Sequence, residues 1–160
     1  MLYRYCPNIP QIPNDIIDKF TEDEIRKIPR DFSGVEPPNN VVPKYSLHTA
    51  PQEIKSFLQP YFDNDVDISF QLITQDLPIH KDFGRTNCYN YIINTGGNVN
   101  TVWYDDDLNE IEREIFPNNV WHNITVSTYH NITELTNTRI AITVHTREPD
   151  AIGDIQRIQK

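Results

Sequence analysis

The chain has 160 residues and a mass of 18.7 kDa, the length of one domain, and its 38% hydrophobic and 23% charged residues support a core and exclude wholesale disorder. A formal charge of −9, with a pI near 4.9, disfavours nucleic acid as a partner, and no run of 18 apolar residues exists to cross a membrane. Two cysteines, Cys6 and Cys88, are too few for a disulfide framework or a zinc cluster, and Met1 to Pro7 lacks an apolar signal core, so the expectation is a reduced, cytoplasmic protein.

Residues 1–62 read as helix and loop, a support for the rest of the chain. Asn14 is a good N-cap, and Ile16, Ile17, Phe20, Ile25 and Ile28 recur at helical spacing behind it. Thr21 and Glu24 form a capping box inside that stretch, which predicts two short helices. Three prolines between Asp31 and Pro43 predict a loop. Thr49, with Gln52 completing its box, caps a second helical pattern in which Ile54, Phe57, Leu58 and Tyr61 share a face and Pro60 sets the limit. His48, beside that cap, is expected at the surface.

From Asp65 the period changes. Residues 66–73, 87–94, 101–104, 120–128 and 138–146 read as strands, separated by Asp76-Leu77-Pro78, Gly96-Gly97, Pro117-Asn118-Asn119 and Thr136-Asn137. Several short strands after N-terminal helices predict a single domain, a β sandwich or barrel with helices packed outside, with a core over 63–148 and a tail over 149–160. The acidic run Asp105 to Glu114 reads as a solvated hairpin tip or short surface helix. The skew toward Ile and Asn and away from Ala suits a low-GC coding genome, viral or bacterial, and carries no chemistry.

His80-Lys81-Asp82 is the chemical signal. In an extended segment residues two apart point the same way, so an imidazole and a carboxylate converge. Two histidines and one carboxylate with open positions hold non-haem Fe(II), so a second, distant histidine is required. His130 is the candidate, with Arg139 nine positions later entering an alternating strand. This arrangement resembles the 2-oxoglutarate- and Fe(II)-dependent oxygenases. The run Thr138-Arg139-Ile140-Ala141-Ile142-Thr143-Val144 is similar to the final core strand of the oxygen-sensing prolyl hydroxylases. The resemblance covers about residues 66–147, half the chain.

The resemblance implies a mainly β, double-stranded β-helix fold (jelly-roll or cupin-like) with N-terminal helices packed on the major sheet. It implies Fe(II) on His80, Asp82 and His130, with 2-oxoglutarate chelating the ion and its far carboxylate on Arg139. The activity implied is a dioxygenase consuming O2, hydroxylating a peptide residue or small molecule and releasing succinate and CO2. A guanidinium suits the anchor because it is always charged and binds carboxylates through paired hydrogen bonds. Arg139, Ala141, Thr143, His145 and Arg147 share one strand face, and the small Ala141 and Thr143 leave room for a ligand. A further donor to the cosubstrate is expected from the strand after His80-Lys81-Asp82. Parity leaves Asn90 or Tyr91, with Asn90 favoured because the tyrosines then pack outward under the N-terminal helices. Arg85 pairs with a carboxylate or binds substrate. His122 competes with His130 for the metal, although its strand-interior setting opposes it. The alternative function is a non-catalytic binding module on the same fold.

Overall fold

A computed structural model describes residues 1–30, 44–62, 66–82 and 85–146. The predicted loop over 31–43, Arg147 and the tail lie outside these residues. Ten strands form two antiparallel sheets among them. The strands are β1 (Tyr3–Tyr5), β2 (Tyr45–Thr49), β3 (Val66–Ile73), β4 (Leu77–His80), β5 (Asn87–Asn94), β6 (Asn100–Tyr104), β7 (Glu110–Glu114), β8 (Trp121–Thr125), β9 (His130–Thr133) and β10 (Arg139–Thr146). The major sheet runs β1-β8-β5-β10-β3-β2 and the minor sheet β4-β9-β6-β7. From β3 to β10 the chain passes back and forth between the sheets, and this order is that of a double-stranded β-helix.

Alternation along the major sheet sorts its faces. Ile68, Phe70 and Leu72 of β3, Tyr91 of β5, Trp121 of β8, and Ile140, Ile142 and Val144 of β10 point outward. They pack on Ile17, Ile25, Ile54 and Leu58 from the helices α1 (Asn14–Ile17), α2 (Glu22–Arg26) and α3 (Gln52–Leu58). The inner face closes on a smaller cluster of Ile92, Trp103, Phe116 and Ala141. Each sheet therefore buries one face against a partner layer, which is why these short strands hold together.

Several local expectations need correction. Thr49 caps no helix: it ends β2, and Pro51 stands at the N-terminus of α3 without a side-chain cap. Asn14 is the first residue of α1, with Pro13 at its cap position. Thr21 does cap α2, its hydroxyl accepting from the Glu24 N–H at 3.3 Å. Residues 1–62 are not only helix and loop, since β1 and β2 extend the major sheet at both edges. His48 is buried, its Nδ1 2.8 Å from the Ile28 carbonyl, so it ties β2 to the end of the α2 segment. The acidic run is a hairpin tip leading into β7, with Asp105 Oδ1 accepting from the Asp107 and Asn109 N–H groups. No helix of the described residues is long and apolar enough to cross a membrane.

Candidate metal centre and its cavity

β4 and β9 pair so that His80 stands opposite His130, and their ring centroids lie 4.4 Å apart. Asp82 follows two residues after His80, its N–H bonded to the Val126 carbonyl at 2.8 Å. One potential ligand atom from each of His80, Asp82 and His130 falls within 4.8 Å of the others. His122 is not in that group. It lies one sheet away, stacked on Phe116 at 3.8 Å with 6° between the ring planes.

The donor set fits a divalent transition metal. His80 Nδ1 is 2.6 Å from the Pro78 carbonyl, and His130 Nδ1 is 2.7 Å from the Thr128 carbonyl. A carbonyl only accepts, so each Nδ1 carries a proton, and the neutral tautomer that fits this contact has its lone pair on Nε2. The same two-residue reach-back orients both rings, the kind of support that metal-ligating histidines have. Burial, with the neighbouring His80, lowers the His130 pKa to about 4, so that ring is neutral near pH 7. Asp82 Oδ1 lies 3.8 Å from His80 Nε2. Its Oδ2 accepts from Arg85 Nε at 3.1 Å and faces Arg85 Nη2 at 3.0 Å, which fixes the carboxylate plane. The carboxylate-pairing reading of Arg85 is the one observed.

These residues line a cavity of about 390 Å³ between the sheets. Arg139, at the start of β10, lines it from the major sheet and is 5% exposed. Among the described residues no carboxylate pairs with Arg139, and its Nη1 has no hydrogen-bond partner. Burial pulls its pKa down to about 10, which leaves it charged at neutral pH. Asn90 lines the same wall, its Oδ1 without a hydrogen-bond partner among the described residues, while its Nδ2 lies 3.6 Å from Cys88 Sγ.

Three expected cavity residues are elsewhere. Tyr91 faces the outer core beside Trp121 at 5.0 Å, and its hydroxyl accepts from the Ile12 N–H at 3.3 Å, so it does not line the cavity. Thr143, paired in register with Asn90, is fully buried and forms no part of the cavity wall. His145 stands 3.5 Å from Asp67 instead of in the cleft. The sequence pattern gives no role to Lys81, which lines the cavity with its ammonium 4.6 Å from the Tyr129 ring centre. Nor does it mark the Phe116 that backs His122. Neither residue belongs to a spacing that could have singled it out.

No family model matches the sequence, and no curated protein is similar to it in sequence. Solved structures are similar in shape. A mutant of Bacillus subtilis oxalate decarboxylase aligns over 78% of this chain and 29% of its own, at 6% identity and a TM-score of 0.48. An iron(II) HppE complex with substrate aligns over 76% and 57%, at 13% and 0.47. Hazelnut (Corylus avellana) vicilin aligns over 70% and 31%, at 14% and 0.45. This chain spans less than two thirds of the length of each. Likeness at this level adds nothing to the strand order as evidence of fold, and it says nothing of chemistry.

Proposed function

We propose that the chain is an Fe(II)- and 2-oxoglutarate-dependent oxygenase that hydroxylates a small molecule or peptide residue. The observation that supports this is Arg139. A buried guanidinium with an unsatisfied N–H is costly, and it shares a cavity with two histidines and a carboxylate. A dicarboxylate with one end on the ion and the other on Arg139 satisfies both. His80 and His130 would hold the ion through Nε2 and Asp82 through a carboxylate oxygen, with Arg85 keeping that carboxylate in place. Asn90 Oδ1 would accept from a bound hydroxyl or water. Ferrous ion and 2-oxoglutarate, when bound, would supply the activation of O2 that yields succinate, CO2 and hydroxylated product.

Anaerobically purified protein given Fe(II), 2-oxoglutarate and then air should form succinate slowly without added substrate. His80→Ala, Asp82→Ala and His130→Ala should each abolish metal binding and succinate, whereas His122→Ala should retain the metal. Arg139→Met should raise the 2-oxoglutarate requirement roughly 30-fold, the loss of a charge-assisted contact worth about 2 kcal/mol, with iron affinity unchanged. A second reading, a metal-binding module without turnover, is favoured by the Arg85–Asp82 ion pair, which draws charge from the carboxylate ligand. Tight metal binding with succinate at background would select it.

A further inference from the structure

The cavity has the opposite sign to the chain as a whole. Arg30, Lys44, Lys81, Arg85 and Arg139 line it, against Asp82 as the one carboxylate among the described lining residues, in a chain of net charge −9. Such a cleft focuses positive potential and concentrates small anions. On the oxygenase reading a divalent ion and a doubly charged cosubstrate cancel each other, and Arg139 is occupied. Positive charge remains. Lys44 and Lys81 pair with no carboxylate among the described residues, and Lys81 touches only the face of Tyr129 by a charge contact. Arg85, 9% exposed, uses its Nε and Nη2 edge on Asp82, while its buried Nη1 has no hydrogen-bond partner among the described residues. Arg85 is thus a second cavity-lining guanidinium with a nitrogen that no described residue satisfies, which calls for a second acceptor.

We infer that the substrate is a small oxyanion, bearing a carboxylate or phosphate group that Arg85 Nη1 and the Lys81 ammonium receive at a site separate from Arg139. This rests on the oxygenase reading for its chemistry, though not for the anion site itself. Polyanions are disfavoured, because the molecule's overall charge repels them and the cavity of about 390 Å³ must also hold the cosubstrate. A substrate tethered by its anion presents a neighbouring carbon to the ion, while Arg85 holds Asp82 and the anion with opposite edges of one rigid plane. Anion binding and carboxylate placement are then coupled through a single side chain.

The test uses the full chain, metal-free, carrying Arg139→Met to silence the cosubstrate anchor. Calorimetric titration with inorganic phosphate, and separately with acetate, should show saturable binding of at least one, and the stronger identifies the group. Adding Lys81→Gln or Arg85→Gln should weaken it at least tenfold. Loss of all binding in Arg139→Met alone would overturn the inference, because the cavity would then have one anion site. Binding unchanged by Lys81→Gln would overturn it as well, and that variant stands if Arg85→Gln disturbs folding through Asp82. Succinate formation by the unmutated protein is measured in parallel. Oxyanion binding without succinate removes the oxygenase reading and keeps the anion site, whereas succinate without a second anion site removes only the substrate class.

Discussion

His122 and Arg139 share a cavity wall, and burial together with the Arg139 charge lowers the His122 pKa to about 3. An unfolded histidine titrates near 6.5. Between those values the unfolded chain binds a proton that the folded chain refuses. The His122 contribution is therefore complete above about pH 6.5 and is lost as pH falls toward 3, on the order of a few kcal/mol. Urea unfolding from pH 7 to 4 should show this decline. His122→Gln should flatten it in part, because burial also holds His48 and His130 below the usual range; an unchanged slope would contradict the assignment. Tyr91→Phe should cost about 1 kcal/mol through the lost Ile12 contact and, on the proposed function, leave the 2-oxoglutarate dependence unmoved, since the ring faces the helices. At this scale the two-residue period of His80 and Asp82 was legible, as was a charge partner for Arg85 three residues away. The inward parity of Asn90 was favoured only through the outward packing of the tyrosines, because both faces of β5 are buried and its own alternation is masked. Which nitrogen of each histidine faces the cavity depends on carbonyls that only the folded backbone positions.

Among the elements, the turn between β5 and β6 controls where β10 begins. Gly96 adopts φ +77°, and its carbonyl accepts from the Thr136 and Asn137 N–H groups at 2.8 and 3.1 Å. A Cβ at Gly96 would sit 2.7 Å from the Asn137 carbonyl, two residues before Arg139. Gly96→Ala should destabilise the fold by about 1–3 kcal/mol, read by thermal or urea unfolding, and, on the proposed function, weaken 2-oxoglutarate binding by displacing Arg139. The Gly96-Gly97 pair was readable as a breaker, but its packing against the β9–β10 loop was not, since that contact spans 40 residues. β4 was hidden in the sequence because Pro78 looks like a breaker, yet β4 is an edge strand, where a missing N–H costs little. β2 was masked as the lead-in to a helix because Thr49 and Gln52 mimic a capping box at a strand end.

At the scale of the whole molecule, the switch from helical to strand period after residue 65 matches the run of strands from β3 to β10, while helices on the major sheet were implied by the family resemblance and not by the strand pattern. The N-terminal strand could not be foreseen from three residues, although it completes the major sheet beside β8. The hydrophobic mass lies between helices and major sheet, on the far side from the candidate metal group, so the expectation is a fold that forms without an ion. Chelation should therefore leave cooperative unfolding intact. Its effect should be local. β4 meets β9 in register only at Leu77 with Ile132 and His80 with His130, and β9 is its only neighbour among the described strands. An ion gripping both imidazoles would rivet this loosely stitched margin to the barrel. Deuterium uptake at the β4 amides should slow markedly on metal loading while the β3–β10 ladder stays unchanged, making this sparsely paired margin the reporter of a bound ion.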